Sequence, residues 1–128
     1  MTHEFPVVIY YEDTDMGGIV YHANYLRFIE RARSAFVKTL GVDQNALRED
    51  GVVFVVRRVE ADFLAPAKFE EDLKVVTKIL RQTPARLTLS QDVFRSETAL
   101  FRAEVTIVAM EMHSGKPLRL PAELRASL

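Results

Sequence analysis

The segment best suited to chemistry spans residues 10–25, which read Tyr-Tyr-Glu-Asp-Thr-Asp-Met-Gly-Gly-Ile-Val-Tyr-His-Ala-Asn-Tyr. It joins acidic side chains, a glycine pair and a histidine at the expected mouth of a helix. A helix N-terminus presents unpaired N–H groups and partial positive charge, which suit an oxygen that becomes anionic during acyl transfer. A carboxylate facing that oxygen, such as Asp15, can attack the carbonyl carbon or activate a water. The residue types therefore indicate an acyl-transfer site.

A purely structural interpretation of the same segment stays open. Asp13 and Asp15 are also the residue types that form an Asx-turn and cap the entry to a helix. Gly17 and Gly18 let the backbone turn sharply and let a ligand approach closely. The glycines therefore fit either interpretation, and Asp13 is expected to support the loop.

The elements that must position this loop follow from the spacing of apolar residues. A β-branched and aromatic run over residues 5–11 predicts a first strand. Residues 24–40 predict a helix that Gly41 closes. Asn24 is the candidate N-cap, and an earlier start at His22 or Ala23 stays open. Its apolar residues recur every three or four positions and form one stripe. The stripe consists of Tyr25, Phe28, Ile29, Ala32, Phe36 and Leu40.

Beyond a short helical turn over residues 43–49, the apolar period changes to two, which predicts strands. These strands cover residues 52–64, 73–80, 86–94 and 100–112. One long helix and about five antiparallel strands give an α+β arrangement in which the sheet wraps the helix and covers its stripe. Such a sheet leaves edge strands unpaired, which favours a dimer formed by sheet continuation.

Composition limits the class of protein. With 128 residues, the chain is expected to form one domain over residues 1–128. The formal net charge of −1 gives no support for nucleic acid or an acidic membrane as a partner. Cysteine is absent, which excludes disulfides and thiol nucleophiles. The apolar run Val7–Tyr11 and the longest apolar stretch elsewhere, Val52–Val56, are both too short for stable membrane insertion. We therefore expect a cytoplasmic protein.

No metal or cofactor is expected. Asp13, Asp15 and Gly17 are spaced like the opening of a calcium loop, but the twelfth position of such a loop needs a glutamate and is Asn24 here. The three histidines lack the spacing of metal ligands. There is also no Gly-x-Ser-x-Gly motif of a serine hydrolase.

Two blocks of the chain resemble a known family. Residues 11–28 and 30–33 closely resemble the 4-hydroxybenzoyl-CoA thioesterase-like family of the hotdog superfamily, and look most like its Tol–Pal-associated bacterial branch. Residues 63–73 are similar to the family's strand–turn–strand segment. The resemblance extends over essentially the whole chain. It implies a hotdog fold and hydrolysis of acyl-CoA thioesters.

The resemblance also assigns roles to residues. Asp15 matches the catalytic aspartate, which acts as nucleophile or general base. His22 matches the helix mouth, where a backbone N–H polarises the thioester carbonyl and the histidine side chain is also implicated. Tyr11 matches a tyrosine implicated in the same branch. The family further implies a homodimer, usually paired into a homotetramer, with pockets at the subunit interfaces.

The substrate is expected to be an acyl-CoA or an acyl-carrier-protein thioester. Gly17, Gly18 and Phe63 are the expected substrate-binding residues, and Phe54 and Phe69 are further candidates for setting pocket depth. Two other functions remain open: a hotdog dehydratase acting on hydroxyacyl thioesters, and a non-catalytic acyl-thioester-binding module. Another hotdog branch carries its catalytic glutamate on the helix. Here Glu30 lies away from the apolar stripe, and the intact block around Asp15 argues against that branch.

Overall fold

A computed structural model of the chain describes residues 2–125. The domain expected over residues 1–128 includes Met1 and residues 126–128, which lie outside the described residues. The elements are β1 (Thr2–Val8), a 3₁₀ turn (Tyr11–Asp13), α1 (Asn24–Thr39), α2 (Gln44–Glu49), β2 (Val52–Phe63), β3 (Asp72–Gln82), β4 (Leu87–Arg95), β5 (Thr98–Glu111), β6 (Pro117–Leu118) and α3 (Ala122–Arg125).

The strands form one antiparallel sheet in the order β1-β3-β4-β5-β2, and the two-residue strand β6 pairs with β5. Helix α1 packs against β1, β3 and β4. This arrangement confirms the predicted α+β class and the hotdog fold. Within residues 2–125 no helix is both long and apolar enough to cross a membrane.

The apolar stripe of α1 is buried, as its spacing predicts. Its first five members are all buried, but Leu40 is only half-buried because it lies beyond the last helical residue, and Val37 is buried instead. Gly41 ends the helix as predicted. It has φ +86°, and its N–H donates to the Lys38 carbonyl at 3.1 Å while the Val42 N–H donates to the Val37 carbonyl at 3.4 Å. These two bonds form a Schellman motif.

The structure differs from the prediction at the first strand and at the short elements near the C-terminus. Strand β1 covers Thr2–Val8 rather than residues 5–11, because it pairs with β3, and β3 provides no partner beyond the Val8–Asp72 pair. Strand β6 and helix α3 were not predicted, because two and four residues are too short to show a period. Leu124 of α3 and Leu120, which lies between the two elements, are buried in the core.

Strand β2 differs from the other strands in its exposure. Directly opposed residues of an antiparallel pair lie on the same face of a sheet. Val59 opposes the buried Val105, and Phe63 opposes the buried Phe101, so both lie on the face that carries the core. Even so, Val59 is 39% exposed and Phe63 is 53% exposed. The inner face of β2 is therefore incompletely covered.

Candidate active site

The loop before α1 is a tight hairpin closed by backbone hydrogen bonds. The Asp15 N–H donates to the Ile19 carbonyl at 3.0 Å, and the Gly18 N–H donates to the Asp15 carbonyl at 3.0 Å. The Tyr21 N–H donates to the Asp13 carbonyl at 2.9 Å. Gly18 has φ +77°, a left-handed conformation that favours glycine. The hairpin therefore fixes Asp15 beside the residues that lead directly into the helix.

Asp13 connects this loop to the helix. Its side chain is buried, and Oδ2 accepts a hydrogen bond from the Tyr10 N–H at 2.9 Å while Oδ1 accepts one from Asn24 Nδ2 at 3.0 Å. The expectation that Asp13 supports the loop is therefore met. The predicted N-cap at Asn24 is wrong: Ala23 is the N-cap, and the Asn24 amide is used for the bond to Asp13.

The Asp15 side chain is exposed. Its Oδ1 accepts a hydrogen bond from the Gly17 N–H at 2.9 Å, which is an Asx-turn, and Oδ2 has no partner among residues 2–125. A Cβ atom added to Gly17 would lie 3.2 Å from Asp15 Oδ1. The Gly17 N–H thus orients the carboxylate and leaves one oxygen available. No cluster of at least three His, Asp or Glu side chains suited to a metal ion occurs among the same residues.

The mouth of α1 carries two backbone donors without acceptors. The N–H groups of residues 20, 21 and 24–26 are all paired, with the carbonyls of Ala67, Asp13, Tyr21, His22 and Ala23 respectively. For the N–H groups of His22 and Ala23 no hydrogen bond is found among residues 2–125. Adjacent free donors at the positive end of a 16-residue helix can bind an oxygen that gains negative charge.

An apolar cavity of about 310 Å³ opens beside these donors. It is lined by Ile19, Val20, His22, Tyr25, Phe63, Leu64, Ala65 and Pro66. The rings of His22 and Phe63 meet edge-on with centroids 6.0 Å apart, and Phe63 packs on Tyr25 at 5.8 Å. Of the predicted site residues, the structure places His22 and Phe63 on this cavity. Asp15, Gly17 and Gly18 lie in the adjoining hairpin and do not line it.

Tyr11 stands apart from the cavity in the single chain. It is 76% exposed in the 3₁₀ turn, and its ring lies 6.1 Å from that of Phe69. Phe69 is likewise exposed and does not line the cavity. Phe54 lines a different cavity at the other end of α1. Glu30 is exposed on the helix, as predicted.

The segment after β2 forms the wall of the cavity, and several contacts hold it in place. It meets the hairpin through the bond from the Val20 N–H to the Ala67 carbonyl, at 2.8 Å. Arg95 Nη1 donates to the Pro66 carbonyl and to Glu71 Oε1, both at 3.1 Å. Pro66 belongs to a block already noted for its resemblance, but nothing in the sequence indicates Arg95, which is distant along the chain.

Tyr25 was predicted only as a member of the apolar stripe, yet it forms part of the cavity floor. Its ring stacks on Phe101 with centroids 4.9 Å apart. Burial raises the pKa of the Tyr25 phenol, opposed by a backbone hydrogen bond with Ala67 and by the Arg95 charge. The phenol is therefore protonated at neutral pH, and the cavity floor carries no charge from it.

The fold and the site together define a class of protein. It is a hotdog protein with free N–H donors, able to bind a developing oxyanion, next to an apolar pocket. The chain belongs to the thioesterase-like superfamily, whose family model matches residues 10–128. This confirms the expected family.

Individual relatives agree with this assignment. The chain is 38% identical to acyl-CoA thioesterase YbgC of Haemophilus influenzae, over 96% of this chain and 91% of that protein. It is 39% identical to acyl-CoA thioester hydrolase YbgC of Escherichia coli O6:H1, over 95% and 92%. The crystal structure of Probable Thioesterase from Bartonella henselae superposes with a TM-score of 0.89 at 38% identity, covering 94% of this chain and all of that one.

Proposed function

We propose that this protein is an acyl-CoA thioesterase, which hydrolyses the thioester to a carboxylic acid and free CoA. The observation that carries the proposal is the pair of free N–H donors of His22 and Ala23 beside an apolar cavity. The names of the YbgC relatives support the same reaction. A thiolate is a good leaving group, so an oxyanion site and one carboxylate suffice for the chemistry.

The thioester carbonyl oxygen is proposed to lie against the His22 and Ala23 N–H groups. Hydrogen bonds there strengthen as the oxygen becomes anionic, and one such donor contributes roughly 10²–10³-fold to kcat in other acyl-transfer enzymes. Phe63 and Leu64 would then contact the acyl group, since they form the apolar wall of the cavity. The glycine hairpin leaves room for the thioester to approach.

Asp15 is proposed to act on the carbonyl carbon. Its Oδ1 is oriented by the Gly17 N–H, while Oδ2 is available. The carboxylate either attacks the carbon to form an anhydride or removes a proton from the attacking water. Single-turnover hydrolysis in ¹⁸O-labelled water distinguishes these routes. The anhydride route, completed by water attack on the Asp15 carbonyl, places an unlabelled protein oxygen in the first product, whereas the general-base route places solvent oxygen there.

The His22 side chain and Tyr11 are proposed as supporting residues. The His22 ring packs on Phe63, so it shapes the cavity in addition to providing its backbone N–H. Tyr11 lies outside the cavity of the single chain and would act only if a second copy closes the site. His22→Ala retains the backbone donor, so a large loss of kcat at unchanged KM in this variant would assign a role in turnover to the ring, whereas a rise in KM alone would assign the ring to the shape of the cavity.

We also propose that the protein is a homodimer joined through β2, and that dimers pair into a homotetramer as the family resemblance implies. Strand β2 lies at a sheet edge, is 12 residues long and contains no proline. Edge strands of this length are normally paired or protected. Val59→Glu should lower the native mass to that of a monomer. A cytoplasmic location is proposed from the composition and the short apolar stretches of the sequence, and it is testable by cell fractionation.

One screen tests the function. Release of free thiol is measured from acetyl-, butyryl-, octanoyl- and benzoyl-CoA and from an acyl-carrier-protein thioester, with hydration of an enoyl-CoA measured in parallel. Thiol release from at least one saturated or aromatic thioester is expected. Hydration of the enoyl thioester without thiol release would instead identify a dehydratase. Tight acyl-CoA binding without either reaction would identify a binding module.

A further inference from the structure

A groove runs along α1 on the side that faces β2. Leu26, Arg33 and Val37 of the helix are separated by seven and four residues, so they lie along one face, and His22 lies four residues before Leu26, just ahead of the N-cap. On β2, the inner-face residues Phe63, Val59, Val56 and Phe54 follow in the opposite chain direction. Leu26 and Val59 are both exposed midway. The exposure of Leu26 and Val59 leaves the middle of the groove uncovered in the single chain, and its strand side is apolar.

Both ends of this groove open into cavities. At one end, His22 and Phe63 line the cavity of the candidate active site. At the other end lies a cavity of about 290 Å³. Its lining includes Glu30, Arg33, Ser34 and Val37 of the helix and Phe54 and Val56 of the strand. The groove thus leads from the proposed reaction centre to a half-buried arginine.

Arg33 is held in a fixed position by a buried glutamine. Gln91 is fully buried, and its Nε2 donates to the Ile29 carbonyl at 2.9 Å and to Thr77 Oγ1 at 3.1 Å. These two bonds orient the amide so that its Oε1 accepts a hydrogen bond from Arg33 Nη1 at 2.9 Å. The guanidinium is therefore anchored on its core side.

The remaining N–H groups of Arg33 are suited to a ligand that carries hydrogen-bond acceptors. The bond to Gln91 is the only hydrogen bond found for this guanidinium among residues 2–125, and none of its other nitrogens is fully buried without a partner. They therefore remain accessible, and Arg33 is one of the residues that line the cavity. Burial lowers the pKa of Arg33, the Glu30 carboxylate opposes this shift, and the group stays charged at neutral pH. A partly desolvated cation at the end of an apolar groove favours an oxygen acceptor there.

We propose that the groove holds the acyl chain of the substrate and that Arg33 selects chains carrying a hydroxyl or carboxylate group at their far end. This inference rests on the proposed thioesterase function and adds to it a substrate class and a specificity-determining residue. The apolar strand side accommodates the methylene groups, and the anchored guanidinium binds the terminal oxygen.

The helix geometry gives the chain length. Arg33 follows His22 by 11 residues, or roughly 16 Å at about 1.5 Å per residue. Helical side chains lean toward the N-terminus, so the guanidinium lies about one turn, roughly 5 Å, nearer the reaction centre. A C–C bond of about 1.5 Å at a tetrahedral angle advances an extended chain by about 1.25 Å per carbon. The remaining distance of about 11 Å fits roughly nine carbon atoms.

The test compares three thioesters of equal length: nonanoyl-CoA, 9-hydroxynonanoyl-CoA and 8-carboxyoctanoyl-CoA. For the wild-type protein we expect kcat/KM for the two polar-ended substrates to exceed that for nonanoyl-CoA by about 10-fold or more, since a hydrogen bond to a charged donor is a strong one. In Arg33→Met this preference should disappear or reverse. Arg27→Met is the matched control, because Arg27 is an exposed arginine of the same helix, and it should keep the preference.

A second variant avoids the buried Gln91 network. Leu26→Trp fills the middle of the groove from the helix side and should reduce kcat/KM for all three nine-carbon substrates relative to butyryl-CoA. An end-group preference that is equal in wild type and Arg33→Met would overturn the inference while leaving the thioesterase function in place. The same holds if Arg33→Met changes only the native mass, which would assign Arg33 to a subunit interface. Absence of thiol release from every substrate, butyryl-CoA included, would instead overturn the proposed function.

Discussion

The hydrogen bond between Asp13 and Asn24 is expected to determine how firmly the Asp15 hairpin is joined to helix α1. Its partners can be exchanged, because an amide and a carboxylate are nearly the same size. In Asp13→Asn, the new amide oxygen can still accept the Tyr10 N–H bond. The new N–H₂ group then faces Asn24, whose amide must turn over to accept with its oxygen, so a neutral hydrogen bond replaces the charged one. In Asn24→Asp, two carboxylates face each other. The double variant restores a donor–acceptor pair with the roles reversed.

The magnitude follows from the bonds lost. A hydrogen bond to a charged group contributes about 1.5–3 kcal/mol, and this one is partly buried. Asn24→Asp should therefore lower the free energy of unfolding by about 2–3 kcal/mol, and Asp13→Asn by about 1 kcal/mol, because it exchanges a charged hydrogen bond for a neutral one. The double variant should recover most of the loss, because the amide introduced at position 13 can accept from the Tyr10 N–H and donate to the carboxylate introduced at position 24. A carboxylate in the first turn of a helix adds roughly 0.3–1 kcal/mol of stability.

The assay is urea unfolding of the wild type, both single variants and the double variant, analysed by linear extrapolation. Asp43→Asn is the matched control: Asp43 caps α2 by accepting from the Asn45 and Ala46 N–H groups, and asparagine caps about equally well. We expect a coupling energy of at least about 2 kcal/mol between positions 13 and 24. Losses that add to within about 0.5 kcal/mol would refute the reasoning.

Two further predictions concern a crowded glycine and a titrating carboxylate. Gly17→Ala should lower kcat about tenfold in steady-state thiol release, because the new Cβ would stand 3.2 Å from Asp15 Oδ1 and displace it. Equal kcat values in Gly17→Ala and wild type would show that turnover does not depend on the present position of the carboxylate. Gly18→Ala should instead lower the free energy of unfolding by about 1–2 kcal/mol, because Gly18 has a positive φ. Hydrogen bonds from the His113 and Ser114 N–H groups lower the pKa of Glu111, so the stability that this carboxylate contributes is present above the unfolded pKa of about 4.3 and is lost as pH falls through the folded pKa. Urea titrations should show Glu111→Gln less stable than wild type at pH 7 and equal to it in strong acid. A stability difference that stays constant with pH would contradict this.

Much of the fold could be predicted because the determining signals are local. The stripe of α1 and the period-two strands depend on neighbouring residues, and both appear in the structure. The end of β1 could not be predicted, because it is set by where β3 begins, more than 60 residues later. The role of Asn24 was missed for a similar reason. Its side chain can either cap the helix or bond to a carboxylate, and the buried position of Asp13 determines which.

The same distinction applies to the candidate site. Asp15 and His22 are seven residues apart, so the hairpin and the helix mouth were visible as one segment of sequence. Tyr25 serves both the core and the cavity, and its apolar spacing revealed only the first role. Arg95 and Gln91 lie on β4 and act on segments about 30 to 60 residues away. Their roles depend on strand pairing, which periodicity does not specify.

The most direct test of the proposed mechanism is turnover by Asp15→Asn at saturating acyl-CoA. Asparagine keeps an oxygen that can accept from the Gly17 N–H, so the hairpin should persist while the negative charge is lost. Asp72→Asn, an exposed aspartate in β3, is the matched control. We expect kcat to fall at least about 100-fold in Asp15→Asn and to stay near wild type in Asp72→Asn. A folded Asp15→Asn protein that hydrolyses acyl-CoA at nearly the wild-type rate would contradict a catalytic carboxylate at the mouth of helix α1.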